Sequence, residues 1–199
     1  LFKVTTNSPT VRGLKLALIG LGTTVGLGLL LAAALGWSLP LPLVQLANIH
    51  LGWGLAAWSC VVLASVAHVA VPMFQLTPDY PAWFARSVAW VLLAVISLWT
   101  IVDLASLAVA SAMLATIVVL SAACFAVLTL KIQRQSKRPS FDTVQMLWRV
   151  AMLSSLVACS LWLLAQFVPA LGETLVWPLL FGALLLCGGF MSIIVGMLY

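Results

Sequence analysis

The sequence predicts an all-α, polytopic transmembrane helical bundle of about six helices, with both ends on the cytoplasmic side. Three observations predict it. Of 199 residues, 64% are hydrophobic and 7% charged, which is more apolar surface than a water-exposed domain of this size can hide. The apolar runs continue for about twenty residues or more, the length a helix needs to cross a bilayer. The charges lie between these runs rather than within them. In lipid every backbone N–H and C=O must be paired inside the protein, so only helices and closed barrels cross. A barrel would alternate polar and apolar residues in stretches of roughly ten, a pattern this sequence does not have.

The elements follow in order. Helix one is expected over 11–36, entered through Arg12 and Lys15. Helix two is expected over 43–73, after the turn signal Pro40-Leu41-Pro42, because proline fixes φ and restricts the residue before it. Pro78 and Pro81 bracket a short loop at 77–82. Helix three covers 83–103 and helix four follows almost at once, 106–132. A basic loop, 131–141, comes next. Helix five covers 142–168 and is closed by Pro169, Gly172-Glu173 form a turn, and helix six covers 174–199. The whole chain, 1–199, reads as a single transmembrane domain. It begins at Leu1 without an initiator Met and stops at Tyr199 inside an apolar run, as expected of a piece of a longer protein or of one processed at both ends.

Orientation comes from the bases. The nine are Lys3, Arg12, Lys15, Arg86, Lys131, Arg134, Lys137, Arg138 and Arg149. With six crossings all nine fall on one side, which the positive-inside rule makes cytoplasmic, and the opposite loops hold Asp103 and Glu173. A missing or extra helix would put the 131–149 cluster opposite the 3–15 cluster. Trp83 and Trp148 are expected at the inner interface, and Trp37, Trp99, Trp162 and Trp177 near the outer one. The net charge of +5 is thus a topology signal and not a nucleic-acid footprint. The expected location is the inner cell membrane.

Few residues can carry chemistry. His50 and His68 both lie on helix two, 18 residues apart. That is five α-helical turns, so an unbroken α-helix puts both on one face, about 27 Å apart along the axis and too far to share a metal ion. An ionisable group within a span is costly and faces protein or water. His50 therefore reads either as an axial heme or metal ligand or as a neutral histidine hydrogen-bonded between helices. His68, near the inner end before Pro72, is the weaker candidate. Trp53 and Gly54 follow His50 by three and four residues, the spacing of one helix face. Gly54 lets either a flat macrocycle or another helix come close.

Cys60, Cys124, Cys159 and Cys187 sit in four different helices with no metal-ligand spacing, and read as small hydrophobes. Gly22 and Gly26 form a GxxxG pattern on helix one, flanked by Gly20 and Gly28, and read as a close-packing or oligomerisation face. Gly188, Gly189 and Gly196 do the same on helix six. Asp103 reads as a solvated cap or a proton partner for His50. Lys131, Arg134, Lys137 and Arg138 in the basic loop favour anionic lipid headgroups. The sequence has no Walker motif, GxSxG, HExxH or pair of close carboxylates, so no hydrolase, ATPase, catalytic residue or metal cluster is expected.

The pattern His50-Leu51-x-Trp53-Gly54, followed by Val71-Pro72-Met73-Phe74-Gln75-Leu76-Thr77-Pro78, resembles a bacterial membrane family related to subunit I of heme–copper oxidases and to NnrS-like proteins. The resemblance covers about 46–83. It implies a heme on the outer half of the bundle, with His50 as its ligand. Members run to about twice this length with around twelve helices, so the partner ligands are expected beyond Tyr199 or in another chain. The sequence has no adjacent His pair for copper and no Tyr–His combination, so oxidase activity is not expected of this chain alone. Two other classes remain open: a permease or small-solute transporter, and a structural subunit of a larger membrane complex.

Overall fold

A computed structural model describes residues 8–138, 142–172, 174 and 176–198. The expectations for Lys3, for Pro139, Ser140 and Phe141 of the basic loop, for Glu173 and for Tyr199 lie outside the described residues. The described chain is helical, with no strand among the described residues. Six helices are long and apolar enough to cross a membrane. We label them α1 (Pro9–Gly36), α2 (Leu43–Gln75), α3 (Ala82–Leu104), α4 (Ala108–Gln133), α5 (Thr143–Phe167) and α6 (Val176–Leu198). A single helical turn, Pro169–Gly172, precedes α6. The boundaries match those expected to within two residues, and α4 runs through Lys131 into the basic loop. The chain is a multi-pass membrane protein.

Local chemistry sets the helix ends. The Ser8 hydroxyl accepts from Val11 N–H and Pro9 opens α1, where its missing N–H costs nothing. Asp142 caps α5 through Val144 N–H. Three successive helices are followed by left-handed residues that are not glycine: Ser38, Leu76 and Ser106. At the first and third, the returning N–H of Leu39 reaches Ala34 C=O and that of Leu107 reaches Val102 C=O, satisfying carbonyls the helix leaves open.

Two helices are not α throughout. Trp53–Cys60 in α2 and Ala183–Met191 in α6 are π-helical, a rare form with i→i+5 bonding. The wider turn re-aims backbone carbonyls, and serines cover some of them. Ser59 Oγ donates to Gly54 C=O at 2.8 Å, and Ser154 Oγ of α5 donates to Leu184 C=O of α6 at 2.8 Å.

The chain forms two compact units, Leu1–Val69 with Pro81–Val118, and Ala70–Tyr80 with Val119–Tyr199. In the first, α1 packs on the π stretch of α2, with α3 beside both. Its core holds Ile49, Trp53, Ala56, Ala57 and Ile96. At Gly20 α1 meets the backbone of α2, and a Cβ there would lie 2.6 Å from the carbonyl carbon of Ala57 and 3.0 Å from Trp58 N. Those are backbone atoms and cannot move aside. Gly13 sits in the same way against the Ser65 side chain.

In the second unit α5 packs on the π stretch and the last turns of α6. Gly188 and Gly189 meet Ser154 and Ser155, and Gly196 meets Leu147 and Trp148. Trp148 is therefore buried in the unit at 1% exposure, its ring packed between helices. Helix packing claims this tryptophan because Gly196 leaves room for the indole. At the same end of the unit a buried polar cluster ties three segments together. Gln133 Nε2 donates to Gln75 Oε1, Ser136 Oγ to Gln75 C=O, Lys137 N–H to Leu76 C=O, and Gln145 Nε2 to Gln133 C=O. Tyr80 and Thr129 share a hydroxyl hydrogen bond of 2.8 Å. Burial pushes the Tyr80 phenol well above its ordinary range, against the smaller opposing effect of Thr129.

The glycines give a paired prediction. Gly20→Ala should destabilise the chain in detergent by about 1–3 kcal/mol, the range of overpacking, despite alanine's better helix propensity. Gly22→Ala, whose Cβ would meet nothing within 4 Å, should be neutral or slightly stabilising. Thermal midpoints of the purified variants check both.

Candidate functional site

His50 lies on the α-helical part of α2, two residues before its last α residue, Gly52. Its ring faces α1. Nδ1 is 3.0 Å from the carbonyl oxygen of Thr24. A carbonyl only accepts, so Nδ1 carries the proton and Nε2 presents its lone pair. Nε2 has no hydrogen-bonding partner among the described residues. The ring rests on Gly28, where a Cβ would sit 3.2 Å from Cε1. Thr24 is itself fixed, its hydroxyl donating to Gly20 C=O at 2.8 Å. At Gly54 a Cβ would lie 3.4 Å from Thr24 Cγ2, an ordinary contact, so α1 and α2 run close on both sides of the histidine.

This arrangement fits one axial ligand. Metal-bound histidines commonly donate their second nitrogen to a carbonyl, which fixes tautomer and ring orientation. No group of three or more His, Cys, Asp or Glu among the described residues is placed to hold a metal ion. The same Thr24 bond also satisfies the other expectation for His50, a histidine tied between helices.

His68 is not on the face of His50. It packs edge-on against Phe84 of α3, ring centroids 6.0 Å apart, while His50 packs on α1. The eight-residue π stretch between them is the cause, since i→i+5 bonding sets the phase of α2 back by roughly one residue, about 100°. Trp53 is likewise turned away from His50. Its Nε1 donates to Thr100 Oγ1 of α3 at 2.9 Å, whereas Gly54 keeps to α1.

The remaining candidates disperse. Gly22 and Gly26 lie on an open face and a Cβ on either would meet nothing within 4 Å, so the face of α1 used inside the unit is that of Gly13, Gly20 and Gly28. The four cysteines form no disulfide. Asp103 is engaged away from His50: its Oδ1 accepts from Ser111 Oγ at 2.8 Å and its backbone carbonyl from Gln45 Nε2 at 2.6 Å. In the basic loop Lys131, Arg134 and Lys137 are exposed, while Arg138 pairs with Asp142.

No family model matches the chain, and no curated protein or solved structure matches it either. The site therefore stands on its own geometry. The sequence alone does not single out Thr24 and Gly28 as the partners of His50. A threonine and a glycine four residues apart on the neighbouring span are the available signal, but a run of glycines from Gly20 to Gly28 offers two faces.

The hydrogen bond makes a direct prediction. In ¹⁵N spectra of the purified protein at neutral pH, His50 should show a protonated Nδ1 and an unprotonated Nε2. His50→Gln, which removes the signal, assigns it. A protonated Nε2 with a bare Nδ1 contradicts the geometry.

Proposed function

We propose that this chain is a heme- or metal-binding protein of the inner membrane, related to heme–copper oxidase subunit I and NnrS-like proteins. The observation that carries the reading is the Thr24 carbonyl bond, which orients His50 and leaves Nε2 as a ligating lone pair. A bound heme supplies one-electron chemistry. Of this chain's residues His50 would hold it, while Thr24 fixes the imidazole and Gly28 and Gly54 keep α1 and α2 close around the histidine. The reading assigns no catalytic residue to this chain. Exposed Lys131, Arg134 and Lys137 favour anionic headgroups on the cytoplasmic side.

A second reading, a structural subunit of a larger membrane complex, is favoured by the open Gly22 and Gly26 face, since small residues let two spans approach.

The visible spectrum of the full-length protein purified from membranes separates the two. The heme reading expects a Soret band that His50→Ala abolishes and exogenous imidazole restores. A preparation that stays colourless after heme supplementation, with an unchanged thermal midpoint, leaves the structural reading standing.

A further inference from the structure

The hairpins α1–α2 and α5–α6 share one contact register. The contacts of the first lie in one unit and those of the second in the other. Each hairpin opens on a capping side chain, Ser8 before α1 and Asp142 before α5. Five residues past the cap, Gly13 meets Ser65 and Leu147 meets Gly196. Twelve residues past it, Gly20 meets Ala57 and Ser154 meets Gly188. Between these contacts Ala17 and Ala151, nine residues past their caps, are both fully buried. The second helices agree as closely. Their π stretches end at Cys60 and Met191, and the contacts lie three residues before those ends, at Ala57 and Gly188, and five after, at Ser65 and Gly196. Every counterpart is thus 134 positions later in the first helix and 131 positions later in the second. Packed antiparallel helices repeat their contacts about every seven residues in any case. That period fixes the contacts neither to a cap nor to a π stretch, a form found in well under about 1% of residues. At both contacts the glycine lies on the first helix in one hairpin and on the second in the other, so the close approach is kept while the side that supplies it changes.

We propose that α5–α6 is a second copy of the α1–α2 hairpin, in which an apolar aromatic residue stands at the ligand position of His50. The register assigns Phe181 to the place of His50, Ala158 to that of Thr24 and Trp162 to that of Gly28. Ala158 is fully buried, one heptad past Ala151. The Phe181 ring stacks on Trp177 of its own helix, centroids 6.2 Å apart. A phenyl ring has no lone pair to give, and a tryptophan stands where the first copy leaves room for an imidazole. Ligand holding is therefore confined to the first copy, and Gly28 is the position that separates the two sterically. That consequence rests on the heme or metal reading of His50, whereas the duplication does not.

The test puts a histidine at the counterpart position of the full-length protein. Phe181→His with Trp162→Gly, in a His50→Gln background, should give a histidine whose ¹⁵N spectrum shows a protonated Nδ1 and an unprotonated Nε2, the proton being donated to the Ala158 carbonyl. Leu180→His, one residue away at a position 43% exposed, should show the mixed tautomers of an unrestrained imidazole. A histidine at position 181 that behaves like the one at 180 overturns the correspondence. Cross-linking supplies a measurement that needs no grafted ring. With the native cysteines replaced, a short bis-thiol reagent should join Gly28→Cys to His50→Cys, and Trp162→Cys to Phe181→Cys, in similar yield. Joining of the first pair without the second also overturns it. Where the heme reading holds, bound heme should reach one per chain, and two per chain would contradict confinement to the first copy. The tautomer and the cross-links do not involve heme, so a colourless protein would sink the reading of His50 and leave the duplication standing, and a failed correspondence leaves His50 untouched.

Discussion

A span in hydrocarbon has no water to satisfy a backbone group, and each unpaired N–H or C=O there costs several kcal/mol. That constraint decides where this chain departs from regular α-helix and what must sit beside each departure. Both π stretches, Trp53–Cys60 and Ala183–Met191, lie in the middle of spans. Each is the surface on which a neighbouring helix packs, α1 in one unit and α5 in the other. Short hydroxyl side chains cover the re-aimed carbonyls: Ser59 on Gly54, Ser154 on Leu184. Glycines bring the helices near enough for such contacts. Gly20 lies over the Ala57 carbonyl group, and Gly188 and Gly189 over Ser154 and Ser155.

The candidate site is a consequence of the same approach. Because α1 lies close to α2 at Gly20 and Gly28, the carbonyl of Thr24 comes within 3.0 Å of the His50 ring. The bond that stabilises a costly polar group in a span is also the one that sets its tautomer. Trp53 reaches α3, and the π stretch that begins there turns the rest of α2, so that His68 meets Phe84. One irregular segment of eight residues thus separates the two histidines by face as well as by height.

The spans are legible in the sequence because length and hydropathy are the physical requirements for crossing, and the prolines and serines between them mark the turns. The inner face of α1 is not. A glycine every few residues from Gly20 to Gly28 is consistent with either face, and Gly22 and Gly26, which carry the familiar spacing, lie on the open one. The shared face expected for His50 and His68 fails because a sequence carries no simple sign of i→i+5 bonding, and 3.6 residues per turn does not hold throughout α2. The aromatic character of Trp148 favours an interface, whereas the space above Gly196 puts it in the packed interior. In the sequence Gln45 and Asn48 are scattered polar residues. Only the fold brings Asp103, 58 positions beyond Gln45, into hydrogen-bonding contact with it.

Six helices are long and apolar enough to cross a membrane, the sequence predicts that the crossings leave the basic residues on one side, and cysteine mapping tests this topology most directly. After the four native cysteines are replaced, single cysteines are placed at Leu39, Asp79, Ala105 and Gln135, each exposed in a loop, and intact cells are treated with a membrane-impermeant maleimide. The six-crossing topology predicts labelling at positions 39 and 105 from outside, and at 79 and 135 only after permeabilisation. Labelling of positions 39 and 135 from the same side would contradict it.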